Sequence, residues 1–239
     1  RDIGADVNVG ALARFARGMR SRLHSAGSLA ILVWLGVYAA VVATGQRFNT
    51  TYLNFGWQLI PWDILSRDPI RSTWYLHIQP PLWNLLLGSS AWVSPLSDAL
   101  TLQIVMAGFG ILAAGSAAEL ARTFGFSRRA AVIVACVACL NPEVLKGAFE
   151  PTYELAIGSL LLVTLLLISR LDGFDARGPR RGLLALACVA TTVSMTRSLY
   201  HPVWTAAILV IALVAMRTRI SWRTTAVVFA VPLVVMGSW

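Results

Sequence analysis

A chain of 239 residues that is 57% hydrophobic, with a mean hydropathy of +0.68, is too apolar for a soluble domain, and its apolar residues stand in blocks approaching membrane-spanning length. The net charge of +9 does not point to nucleic acid, because the arginines fall in short clusters between those blocks, where the positive-inside rule accounts for them. Cys136, Cys139 and Cys188 lie inside apolar segments, so the Cys136-x-x-Cys139 spacing reads as small packing residues, and no disulfide framework is implied.

In chain order, residues 1–27 place Leu12, Phe15, Ala16, Met19 and Leu23 on one helical stripe with Arg14, Arg17, Arg20 and Arg22 largely around it. This is either an amphipathic helix on the inner leaflet or a solvated basic flank. Residues 28–239 are expected to form a transmembrane module, with apolar blocks at 28–45, 99–118, 130–140, 153–169, 183–195, 202–216 and 224–239. The expected fold is all-α: a polytopic bundle of seven spans with outer juxtamembrane helices. Arg122, Arg128 and Arg129 form one basic cluster, Arg170, Arg177, Arg180 and Arg181 a second, and Arg217, Arg219 and Arg223 a third, all assigned to the cytoplasmic side. That assignment requires the apolar piece 81–93, short for a span, to stay on the outer face as a juxtamembrane or re-entrant helix. The chain begins without Met and stops inside an apolar run, which reads as a fragment.

With the amino terminus inside, the outer face receives the loop 46–98, the turn 141–152 and the turn 196–202. The first contains Trp74-Tyr75-Leu76-His77-Ile78-Gln79-Pro80-Pro81-Leu82-Trp83-Asn84-Leu85, a polar segment broken by two prolines between long apolar runs. Asp63, Asp68, His77, Gln79, Asn141, Glu143, Lys146, Glu150, Glu154, Arg197 and His201 are thereby expected at one depth. Ionisable groups at that depth are costly enough to mark function. No tight set of His, Asp or Glu suggests a metal site, and metal dependence stays open.

The order of these features resembles the GT-C glycosyltransferases, in the group of protein O-mannosyltransferases and lipid A aminoarabinose transferases. His77-Ile78-Gln79-Pro80-Pro81-Leu82 is similar to the family's His-Pro-Pro-Leu or Lys-Pro-Pro-Leu motif with two residues inserted. Ala121-Arg122-Thr123-Phe124-Gly125-Phe126-Ser127-Arg128-Arg129 resembles its Ala-Arg-x-x-Phe-Gly-x-x-Arg-Arg pattern, and Asn141-Pro142 resembles its Ser-Pro. Where the family carries an acid soon after the first span, this chain has Asn49-Thr50-Thr51-Tyr52.

The resemblance implies a multi-pass plasma-membrane enzyme with its active face extracytoplasmic. It would move a sugar from a polyprenyl-phosphate donor to a glycan, lipid or protein acceptor, with membrane lipid as its other partner and no evident cofactor. On that reading Asp63 is the first choice for the base, as an acid flanked by apolar and aromatic neighbours, against the bland reading of a helix cap after Pro61. Asp68 before Pro69 is a base or a turn former, and Glu154 assists the acceptor or merely favours the positive helix end. Arg197 binds the leaving phosphate or pairs with Glu150. Arg71 and Lys146 support it, Lys146 alternatively pairing with Glu143 or Glu150. His77, Gln79 and Tyr200 complete the substrate-binding set, His77 alternatively being only a satisfied interfacial group. The interfacial aromatics stack on sugar or form the usual aromatic belt. A lipid or solute transporter, or a noncatalytic scaffold of the same fold, is the alternative class.

Overall fold

The structure is a computed structural model that describes residues 25–55, 59–75, 80–171, 178–197, 202–215 and 221–237. The amphipathic stripe within 1–24, and the predicted site residues His77, Gln79 and Tyr200 together with His201, lie outside the described residues.

Every regular element among the described residues is an α-helix: α1 Ala26–Ala43, α2 Tyr52–Phe55, α3 Trp62–Leu65, α4 Pro69–Trp74, α5 Leu82–Val93, α6 Asp98–Thr123, α7 Arg128–Cys139, α8 Pro142–Gly147, α9 Tyr153–Arg170, α10 Gly178–Thr196, α11 Pro202–Ala215 and α12 Trp222–Gly237. Among the described residues all seven apolar blocks coincide with helices, but only α1, α6 and α9 are long and apolar enough to cross a membrane. The other four offer shorter apolar stretches. Helix α7 has 12 residues, α11 has 14, and α12 has 16 with Pro232 inside it. Helix α10 opens on Gly178-Pro179-Arg180-Arg181, which leaves Arg181–Thr196 as its apolar stretch. Length therefore supports three of the seven expected spans. The piece placed on the outer face is the 12-residue α5, also below spanning length.

Helix ends follow local chemistry. Ser25 caps α1 by accepting the Ser28 N–H at 3.0 Å. At the end of α6, Gly125 takes φ +86°, the Phe126 N–H reaches the Ala121 carbonyl at 3.2 Å, and the Gly125 N–H reaches that of Arg122 at 3.1 Å. This Schellman closure needs a residue without Cβ at its left-handed position.

Helix α6 is the centre of the bundle, packing against α1, α5, α7, α8 and α9. It can do so because Gly110, Ala113, Ala114, Ala117, Ala118 and Ala121 are buried small residues that let neighbouring backbones approach. The Trp34 indole, 1% exposed, lies directly over Gly110 in the space a Cβ would take. Helix α10 joins α9 to α11 and α12 through a second apolar cluster of Leu183, Leu186, Leu209 and Val228.

The bundle has two chemically distinct ends. At one, the Gly27 N–H donates to Glu119 Oε1 at 2.9 Å and Arg170 donates to Glu119 Oε2 at 2.8 Å, tying the start of α1 to the ends of α6 and α9. Arg122, Arg128 and Arg129 stand on the turn beside them. At the other end, the ring of Tyr38 stacks on Trp34 and on Phe149, both at 5.0 Å, and the Asn49 N–H donates to the Phe149 carbonyl at 2.7 Å.

Helices α3 and α4 fold onto α5 at this second end. Trp83, Asn84, Leu87, Gly88 and Ala91 form its buried stripe, and at Gly88 a Cβ would meet the side chains of Pro69 and Leu65 within 3 Å. Buried Asn84 accepts the Ile60 N–H through Oδ1 at 2.9 Å. Asn84→Ala leaves that donor unsatisfied, at a cost of ~1–3 kcal/mol. The expected result is a lower unfolding midpoint in detergent, with α-helical content by circular dichroism unchanged before the transition.

Candidate functional site

Asn141 begins the site by capping α8, its side chain accepting the Glu143 N–H at 2.9 Å, with Pro142 at the first helical position. The short α8 turns the chain back at Gly147 and delivers 148–152 to the end of the bundle. That stretch is held from two sides, by the Phe149 contacts with Tyr38 and Asn49 and by Trp83 Nε1, which donates to the Pro151 carbonyl at 3.2 Å. Fixing Phe149 and Pro151 inward places Glu150 between them and sets Thr152 as the residue before α9, so Glu154 falls in that helix's first turn. A carboxylate there is favoured by the positive end of the helix.

The result is a cavity of about 550 Å³ between α6, α7, α8 and α9. Glu143, Lys146, Glu150 and Glu154 stand around it, Tyr52 and Thr152 add hydroxyls, and Ala113, Cys139, Leu155 and Leu162 make its apolar wall. Gly158 keeps the wall open, since nothing lies within 4 Å of where its Cβ would be. Lys146 Nζ is 3.9 Å from Glu150 Oε1, with the Lys146 side chain 56% exposed and that of Glu150 14% exposed. Of the two pairings expected for Lys146, the one with Glu150 forms. The Glu154 carboxylate is exposed and makes no hydrogen bond or ion pair among the described residues.

Arg197 lies next to this cavity, outside its wall. Its guanidinium sits 4.8 Å from the centre of the Tyr153 ring, one residue before Glu154. The expected alternative pairing with Glu150 is absent among the described residues, where the cation nearest that carboxylate is Lys146. Among the described residues Arg197 has no ion-pair partner.

Asp63, Asp68 and Arg71 are not brought to the same place. They share a separate depression of about 430 Å³ with Arg67, Ser72 and Tyr75. Asp68 accepts the Arg71 N–H at 3.0 Å and caps α4, which is the turn-forming role. Asp63 sits in the first turn of α3 and is exposed, so the desolvation expected from its apolar sequence neighbours is absent; Leu65 points inward instead. Two acids outside the expected site set are structural anchors. Glu119 joins three helices, and Asp98 accepts from Trp62 Nε1 at 2.8 Å. An acid among small apolar residues near a basic helix end was the available signal for Glu119. Among the described residues no three His, Cys, Asp or Glu side chains converge as a metal site.

No family model, curated protein or solved structure matches this chain. What the cavity does must be read from its own chemistry. It combines a free carboxylate on a helix start, an ammonium group beside a second acid and an apolar wall, with a guanidinium one helix end away. Such a site can take a proton from a hydroxyl and, at its rim, meet an anionic group.

Proposed function

We propose that this chain is an integral membrane glycosyltransferase of GT-C type, with the cavity at the start of α9 as its active site. The observation that carries the reading is the gathering of Glu154 and Lys146 in one apolar-walled recess, with Arg197 beside it, at the end of the bundle opposite the Arg122, Arg128 and Arg129 turn. With those arginines on the cytoplasmic side, the recess opens extracytoplasmically, and α1, α6 and α9 supply the membrane anchorage.

The donor is a polyprenyl-phosphate sugar whose lipid lies along the helices and whose phosphate reaches Lys146 and Arg197. Glu154 takes the proton of an acceptor hydroxyl as its oxygen bonds to the anomeric carbon. The bond from that carbon to the phosphate oxygen breaks, and the lipid phosphate leaves with the electron pair. Cations are needed on the departing side, and guanidinium suits phosphate by its forked geometry. Asp63, Asp68 and Arg71 share their own depression, apart from this recess, and take no part in the proposed transfer step. His77, Gln79 and Tyr200 keep their substrate-binding assignment on the resemblance alone.

Transfer of labelled sugar from a mixed polyprenyl-phosphate donor pool, in membranes carrying the protein against membranes without it, tests the proposal. Label appearing in an acceptor fraction only with the protein present supports it. No transfer, with the donors verified by a second transferase, overturns it in favour of a transporter or a noncatalytic scaffold.

A further inference from the structure

At the end of the bundle away from the cavity, a groove of about 690 Å³ runs between α1 and α7, lined by Leu29, Ser127, Arg128, Arg129, Val132 and Ile133. The reading of the active site makes no use of it. Its position is fixed by the turn between α6 and α7, which is bound on both sides. The Arg122 guanidinium donates to the Phe126 carbonyl, Gly125 closes α6, and Ser127 accepts the Ala130 N–H at 3.3 Å. This rigid turn holds Phe124, 72% exposed, and Phe126, 45% exposed, outward at the level of Arg128 and Arg129. Both arginines are exposed, and neither forms an ion pair among the described residues.

Exposed aromatic rings beside arginines are the pattern of a headgroup layer, where rings take the apolar boundary and guanidinium groups take the phosphates. Below the arginines the groove is apolar, and the strip continues down α7 through Ile133, 62% exposed, and Val137, 74% exposed. Cation above and hydrocarbon below is complementary to one molecule that carries both an anionic head and an acyl chain. A soluble acidic partner would leave the apolar floor unfilled.

We propose that this groove is a binding site for an anionic phospholipid of the inner leaflet, its headgroup phosphate held by Arg128 and Arg129 and one acyl chain lying along Leu29, Val132 and Ile133. The site is independent of the transferase reading, and its readout is lipid retention rather than transfer.

The test uses the whole protein in phosphatidylcholine nanodiscs doped with phosphatidylglycerol, with retained lipid counted by native mass spectrometry. Wild-type protein should retain phosphatidylglycerol in preference to phosphatidylcholine. Replacing both arginines, R128Q with R129Q, should weaken the preference roughly 30-fold, from two cations at the membrane surface, while R128K with R129K keeps most of it. Val132→Trp, which fills the groove and leaves the charges, should also reduce retention, and matched unfolding midpoints show that each variant is folded. Equal retention of the two lipids, or no change in the glutamine variant, overturns the site. Displacement by inorganic phosphate alone overturns the lipid assignment, leaving a bare anion site, and persistence in Val132→Trp does the same for the acyl groove.

Discussion

Membranes carrying Glu154→Gln transfer sugar at least ~100-fold more slowly than wild-type membranes at matched protein level, the loss expected on removing a general base. Glutamine keeps the size and polarity of the side chain but cannot accept the acceptor's proton. Because Glu154 is exposed and makes no hydrogen bond or ion pair among the described residues, the change removes only its interaction with the positive end of α9, ~0.3–1 kcal/mol, and the unfolding midpoint moves little. Asp63→Asn is the companion measurement. Its carboxylate faces another depression, so transfer should stay within a few-fold of wild type. The opposite pattern, with Asp63→Asn inactive and Glu154→Gln active, would move the chemistry to the depression on α3 and α4.

Gly110→Val destabilises the bundle by ~3 kcal/mol, at the upper end of the usual cost of overpacking. The Trp34 indole occupies the position of the new side chain, and neither it nor the α6 backbone has room to retreat, because Tyr38 stacks on Trp34 at 5.0 Å and Phe149 stacks on Tyr38 in turn. Gly108 is the control on the same helix. Nothing lies within 4 Å of its Cβ position, so Gly108→Val should unfold at the midpoint of the parent protein, apart from a small propensity effect. A smaller partner at position 34 should restore part of the loss in the double variant, since the two residues share one space. Detergent-titrated unfolding followed by tryptophan fluorescence reads all three.

The helices were legible because membrane-spanning length and apolar composition are local properties, and α1, α6 and α9 fall on blocks that composition marks. Their apolar lengths were less so: that of α10 starts only at Arg181, behind Gly178-Pro179-Arg180, and α12 has 16 residues with Pro232 inside it. Within the site, Glu154 and Lys146 were visible as ionisable residues at an apolar boundary. The separation of Asp63 from them was not. It depends on α3 and α4 folding against α5 through Asn84 and Gly88, contacts made across about two dozen residues with no periodicity to announce them. The expectation of a desolvated Asp63 failed for a related reason: apolar neighbours in sequence are not neighbours in space, and on a single helical turn Leu65 goes in while Asp63 goes out.

The difference in length between α6 and α7 has a consequence for the bilayer itself. At 1.5 Å per residue the 26 residues of α6 rise ~39 Å, while the 12 of α7, packed directly against it, rise only ~18 Å. A hydrocarbon layer ~30 Å thick fits the first with tilt but overhangs the second. In the bilayer placement proposed above, lipid bordering α7 thins or α7 is shielded by its neighbours, and the bundle then meets the membrane asymmetrically around its circumference. On that placement, acyl-chain length becomes a variable that acts on one side of the bundle, where α7 rather than α6 borders the lipid.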